Sequence, residues 1–254
     1  MPRSRHAGTL ASIALALAVL VAPNVCAADP SALWHVVHDQ CAPDMQTNSK
    51  PAPCLKVDLA GGYAVLKDIR GVSQLLLIPT RRVAGIESPD LLAPRTPNYW
   101  QDAWATLPLF AGRLNRPVRR DDIGLAVNST QARSQNQLHI HIDCVRPDVR
   151  AVLRANEARI GGRWSELEAP LAGHRYRVMR LEGADLGGRD PFKLLAGDPG
   201  ARADMGRETL VVLPTVFRGG SAGFVLLSDR ASWFGFDRAG GEELLDHGCT
   251  VLGR

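Results

Sequence analysis

Apolar and polar residues alternate most cleanly from position 137 to 145, which reads Gln-Leu-His-Ile-His-Ile-Asp-Cys-Val. A strand sends successive side chains to opposite faces. Leu138, Ile140 and Ile142 therefore point one way, and Gln137, His139, His141 and Asp143 the other. The apolar row anchors the strand in a core, and the polar row is expected on an open face. Further strands are predicted at 62–68, 73–79, 123–127, 176–181, 209–217 and 223–228. The first two flank Arg70-Gly71 and read as a hairpin. A polar loop covers 128–136. Helical spacing recurs elsewhere. Ser31 is placed to cap a helix over 32–40, with Leu33, Val36 and Val37 on one side. Asn98 opens a helix carrying Tyr99, Trp100, Trp104, Leu107 and Leu109. Pro147 opens another, to about residue 160, and 241–247 reads as a last helix. Strands in hairpins with a few packed helices define an α+β fold with a mostly antiparallel sheet.

The N-terminus changes the picture. Arg3, Arg5 and His6 precede an uncharged apolar run, 10–21, and then Pro23 and Val25-Cys26-Ala27. This is the order of a secretory signal, with cleavage expected after Ala27. An uncleaved membrane anchor is the alternative, although the run is short of the roughly 20 residues a span needs. Residues 1–27 are thus read as a signal peptide or anchor, and 28–254 as one exported domain. Hydrophobic residues make up 45% of the chain, enough to build its core. The net charge of +4 suits an anionic substrate or membrane surface, and no dense Lys/Arg run points to nucleic acid. Oligomeric state is not legible. Without the signal, Cys41, Cys54, Cys144 and Cys249 remain, and an oxidising compartment favours disulfides. Cys41 and Cys54 flank the loop 42–53 and are expected to pair, as are Cys144 and Cys249.

His139 and His141 carry the candidate chemistry. A neutral imidazole attacks phosphorus directly and forms a phosphoramidate without a metal. No cofactor is expected. A zinc hydrolase is a rival reading, because His139, His141 and Asp143 are all possible ligands. A non-catalytic binding protein is another. His35, His38, His174 and His247 read as surface or core residues. The run Trp233-Phe234-Gly235-Phe236 and the stretch 171–177 are candidates for lipid contact, with burial favoured for the aromatic run.

The segment from Asn128 to Cys144 resembles the histidine-triad superfamily, whose motif is His-x-His-x-His with apolar x. The resemblance implies a histidine-triad-like fold and catalysis by His141, assisted by His139. It implies substrate contacts for Asn128 and for Gln135, four residues before His139. Asp143 replaces the third histidine, a departure that a leaving group needing little protonation tolerates. Arg133 is a candidate to neutralise pyrophosphate, Lys67 to reach ribose or phosphate, and Arg146 is a weaker candidate. The block 137–150, with 33–41, 51–54, 62–68, 86–98 and 246–249, narrows the resemblance to the CDP-diacylglycerol pyrophosphatase family. That resemblance implies cleavage of CDP-diacylglycerol to CMP and phosphatidate at the periplasmic side of the inner membrane. An exported nucleotide hydrolase acting on soluble nucleotides is the alternative.

Overall fold

The computed structural model describes residues 29–234 and 236–253, so the signal-like segment 1–27 lies outside it. Ten strands form one antiparallel sheet. They are β1 (Lys56–Asp58), β2 (Tyr63–Lys67), β3 (Leu75–Pro79), β4 (Ile123–Val127), β5 (Ile140–Val145), β6 (Ser165–Glu166), β7 (Arg177–Glu182), β8 (Leu210–Val216), β9 (Ala222–Ser228) and β10 (Leu245–Asp246). Across the sheet the order is β1-β2-β3-β5-β4-β8-β9-β7-β6. β10 pairs with Cys144 and Val145, taking over one edge of β5 where β3 stops at Ile142.

This register fixes which face receives the histidines, because a one-residue slip would drive them into the core. Leu138, Ile140 and Ile142 join Leu75, Leu77 and Leu125 in the main core. Trp100, Phe110 and Phe192 close it. These come from α3 (Tyr99–Ala105), α4 (Leu107–Leu114) and a short helix at Pro191–Leu195. Asn98 caps α3 by accepting from Gln101 N–H at 3.3 Å. Truncating a residue such as Ile142 to Ala in so closed a core costs about 2–5 kcal/mol.

The other face carries two separate apolar clusters. α1 (Ala32–His35), a π-turn (Val36–Cys41) and α2 (Ala42–Asn48) cover Ala64, Leu76 and Ile78 on one side. α5 (Pro147–Asn156) covers Ala126, Val145, Val211 and Leu213 on the other. Leu76 and Ala126 are the two cross-strand neighbours of His141. The histidine row therefore runs along the seam between the clusters, and here the polar residues gather.

The structure corrects three expectations. The first helix does not stop at residue 40. It continues to Asn48 and ends where Ser49 takes φ 54°, and Pro43 is tolerated because it falls in a first turn. Ser31 makes no side-chain cap; the Gln135 side chain accepts from Leu33 N–H at 3.0 Å instead. Residues 241–247 are not a helix but a 3-10 turn (Gly241–Leu244) followed by β10. Gly241 packs so tightly that a Cβ would lie 2.5 Å from Thr209 Oγ1. The Leu245 backbone is committed to β5. Disulfides join Cys41 to Cys54 and Cys144 to Cys249. Among the described residues, no helix is long and apolar enough to cross a membrane.

Candidate active site

β5 holds its polar row rigidly because it is hydrogen-bonded on both edges. His139 and His141 are buried, 8% and 4% exposed, with ring centroids 4.8 Å apart in an edge-on arrangement. His139 Nδ1 lies 2.7 Å from the Gln137 carbonyl oxygen, to which it donates, leaving Nε2 free. His141 Nδ1 is 2.8 Å from the Gln74 amide and 3.5 Å from Glu242 Oε1. On the far side of the ring, Asn128 Nδ2 stands 3.5 Å from Nε2. Asn128 also accepts from the Glu242 N–H at 3.1 Å and approaches its carboxylate at 3.4 Å. Gln74 donates to Glu242 Oε1 at 3.0 Å.

Burial decides the protonation states. It holds His139 below the usual imidazole range. Burial, with His139 beside it, holds His141 down to about 3. Both rings are neutral at neutral pH, the form in which an imidazole nitrogen is a nucleophile or base. Burial also works against the Glu242 carboxylate, but its net displacement is downward, through His141, His247 and hydrogen bonds from Gln74 and Asn128. The Gln74 N–H donates to Nδ1 at 2.8 Å as placed, whereas the Glu242 carboxylate, 3.5 Å from the same nitrogen, favours a proton on Nδ1, the tautomer that leaves Nε2 unprotonated. The Gln74 carbonyl oxygen is buried without a partner. Turning that amide over would set it against Nδ1–H, but would exchange its donation to Glu242 Oε1 for an oxygen–oxygen contact.

Asp143, the residue in the third-histidine position, is fully buried and reaches His247 Nδ1 at 2.7 Å and the Cys144 N–H at 2.9 Å. Burial pushes its carboxyl up to about 6, against those two hydrogen bonds. His247 Nε2 lies 3.5 Å from Glu242 Oε1. An Asp143–His247–Glu242 chain thus runs from the end of β5 to His141 Nδ1.

The structure brings together His139, His141, Asn128 and, through His247, Asp143. It places Gln135, Lys67 and Arg133 otherwise. Gln135 ties down the start of α1, donating to the Asp29 carbonyl and accepting from Leu33 N–H. Lys67 pairs with Leu75, whose neighbour Leu76 faces His141, so it leaves the sheet on the opposite side. Its Nζ closes the hairpin turn on the carbonyls of Asp68, Arg70 and Gly71. Arg133 lines the small cavity beside Asn128 and His139, but its guanidinium is clamped bidentately by Glu87 at 2.6 and 2.7 Å. Arg146 pairs with Asp148. His35 and His38 are exposed beside Asp39, and His174 pairs with Asp237. Contrary to the expected burial, Trp233, Phe234 and Phe236 are exposed at 78%, 102% and 93%. In the stretch 171–177, Leu171 and Tyr176 are core residues.

Gln74, Glu242 and His247 were missed. Gln74 had a signal, being two residues before Leu76 in a strand already recognised. Glu242 and His247 had none, because the segment carrying them read as a helix. His139, His141 and Asp143 do not converge as a ligand set. Among the described residues, the donors that gather with His141 are Asp68 and Glu242.

An α+β domain that shields two neutral imidazoles among amides and carboxylates is equipped for hydrolysis through a nitrogen nucleophile. A family model for CDP-diacylglycerol pyrophosphatase matches residues 28–253. A CDP-diacylglycerol pyrophosphatase of Yersinia pestis is 45% identical over 224 residues, covering 87% of this chain and 84% of that protein. The chain belongs to the CDP-diacylglycerol pyrophosphatase family. It is a hydrolase of CDP-diacylglycerol, as the block 137–150 implied.

Proposed function

We propose that the pyrophosphate bond is cleaved in two displacements at the phosphorus next to cytidine. His141 Nε2 attacks that phosphorus, a P–N bond forms, and the P–O bond to phosphatidate breaks. Phosphatidate leaves as a phosphate monoester anion, which needs little protonation. The CMP-imidazolium retains its proton on Nδ1, facing Glu242. Water then attacks the same phosphorus and gives its proton to His139 Nε2, and the P–N bond breaks to release CMP. Asn128 and the Gln74 amide position the ring, and Asp143 acts by orienting His247 toward Glu242. Arg70, exposed at the hairpin turn, lies near enough for its charge to depress His141, and it supplies the pyrophosphate contact expected of Arg133. The observation that carries this reading is the pair of buried neutral imidazoles with a carboxylate on Nδ1 of the second. We read the fold as histidine-triad-like on the same ground, a His-x-His strand inside an antiparallel sheet.

We further propose that the enzyme works against the periplasmic face of the inner membrane. The signal-like N-terminus, the two disulfides and the diacyl substrate support this. So do the exposed Trp233, Phe234 and Phe236, since amphipathic aromatic rings settle at the lipid interface.

The test is mass spectrometry of protein quenched seconds after mixing with CDP-diacylglycerol. A CMP-sized adduct on the peptide holding His141 is expected, and His141→Ala should lack both adduct and CMP release. CMP release from wild type without any adduct would replace covalent catalysis by direct water attack.

A further inference from the structure

A second group of ionisable side chains gathers beside the exposed Trp233, Phe234 and Phe236. His174 comes from the turn before β7, Asp229 from the end of β9, and Asp237 from the base of the exposed aromatic loop. That base is closed by a two-way backbone bridge between Ser232 and Asp237. The donor atoms of the three side chains all lie within 4.8 Å of one another. His174 Nδ1 and Asp237 Oδ2 are 2.6 Å apart. Asp237 uses its other oxygen to accept from the Ala239 N–H at 2.8 Å.

Asp229 does not fit this arrangement as a purely structural residue. It is 6% exposed, and one carboxylate oxygen accepts from the Arg230 N–H at 2.6 Å. The other oxygen is buried with no N–H or cation to satisfy it, its neighbour being the Asp237 carboxylate. A buried carboxylate oxygen without a partner is costly, so it calls for an explanation. Glu208 shows how the same region satisfies a buried carboxylate: it is fully enclosed and holds Arg177, Arg230 and Ser228. No cation among the described side chains pairs with Asp229.

We infer that His174, Asp229 and Asp237 form a divalent-cation site of the zinc class. One imidazole nitrogen and two carboxylate oxygens are a donor set that suits Zn²⁺, with water as the fourth ligand. Ligands on a tetrahedral ion at 2.0–2.1 Å stand about 3.4 Å apart, wider than the 2.6 Å His174–Asp237 contact and inside the 4.8 Å within which all three donor atoms lie. His174 also has the outer partner that metal-bound histidines use. Its Nε2 faces Glu243 Oε2 at 3.6 Å, and Glu243 is fixed by the Tyr176 hydroxyl at 2.7 Å. Without the ion, the lone Asp229 oxygen is satisfied only by holding a proton. Burial, with the charge of Asp237 beside it, pushes that carboxyl up to about 7. The ion would displace this proton and the one shared by His174 and Asp237, and would join three chain segments at the root of the aromatic loop.

The test is equilibrium dialysis of the chelator-stripped protein against Zn²⁺, with Ca²⁺ and Mg²⁺ in parallel, alongside thermal unfolding and amide exchange of residues 232–237. One Zn²⁺ per chain is expected, with a higher Tm and slower exchange in that loop. Asp229→Asn, which keeps the shape of the side chain, should weaken binding at least tenfold and abolish the Tm shift. His174→Gln should do the same. His141→Ala and the surface pair His35→Gln/His38→Gln should bind as wild type does. Absence of stoichiometric Zn²⁺, or binding that survives both Asp229→Asn and His174→Gln, overturns the site. Loss of binding in His141→Ala would also overturn it, by placing the ion at the catalytic histidines.

Discussion

β5 and the segment 241–249 deliver chemistry to one spot by opposite means. β5 is a central strand whose backbone is paired on both edges and whose apolar row is sunk in the main core. His141 inherits its aim from the sheet, and His139 stands one residue before the strand begins. The segment 241–249 has a 3-10 turn, two residues of ladder and a disulfide at Cys249. Glu242 and His247 are aimed by contacts with β5 rather than by their own element. The proposed nucleophile and base thus sit on or beside the stiff part, and the groups proposed to tune them sit on a tethered strap. Single changes on the strap should therefore alter rate with little effect on the fold, whereas loss of the tether should alter both.

The largest contrast is between His141→Ala and Glu242→Gln. Removal of the nucleophile should lower kcat by about 10⁴-fold or more, as removal of a covalent nucleophile does elsewhere. Glu242→Gln keeps the shape but removes the charge facing Nδ1, and a fall of about 10²–10³-fold is expected. Steady-state release of CMP measures both. A Glu242→Gln enzyme within threefold of wild type would show that the strap is only structural.

Next comes the tether. Cys144→Ala/Cys249→Ala should lower stability by about 2–5 kcal/mol, because the bond closes a long loop of sequence separation 105. It should also lower kcat by about tenfold, since His247 lies two residues before Cys249. His247→Gln should give the rate loss without the stability loss. Urea unfolding and CMP release on the same preparations separate the two effects.

The pH profile sharpens the same division. His141, held at about 3, stays neutral through the ordinary imidazole range, so its own titration places no acid limb near 6.5. Asp143, pushed up to about 6, holds His247 as an anion only above that pH. The kcat/KM of wild type should therefore fall as pH drops through about 6, and Asp143→Asn should be slower but flat there. For stability the sign is reversed. A carboxyl raised from 3.8 favours the folded state below about pH 4, and that contribution is lost as pH rises through 6. Acid should thus slow the enzyme while this group steadies the fold.

Legibility in the sequence followed the same division. Strict alternation at 137–145 identified the strand, its buried row and its reactive row without any tertiary information. His139 and His141 stood out on it, and Asn128 came only from the histidine-triad resemblance. Glu242 and His247 were hidden because Gly241-Glu-Glu-Leu-Leu-Asp has helical propensity. What overrides it is tertiary: Gly241 pressed on Thr209, Leu244 accepting from the Arg146 N–H, and Leu245 paired with Val145 in the ladder. The pairing of Arg133 was hidden for a related reason, since its partner Glu87 lies 46 residues away. Chemistry set by local periodicity was readable, and chemistry set by long-range packing was not.

The smallest expected effect tests a role inherited by position alone. Gln135 stands four residues before His139, where the resemblance implied a phosphate contact, yet its two hydrogen bonds go to Asp29 and Leu33. It supplies from a distant loop the helix cap that Ser31 does not provide. Gln135→Ala should therefore cost about 1 kcal/mol of stability, the usual value of a lost N-cap. Its kcat/KM should stay within about threefold of wild type, an effect well below the 10²-fold range of groups that touch transferring phosphate. Thermal unfolding and CMP release on one preparation decide between the two roles. A large rate loss with unchanged Tm would mean that the loop 128–136 rearranges when substrate binds and that Gln135 turns inward to meet it.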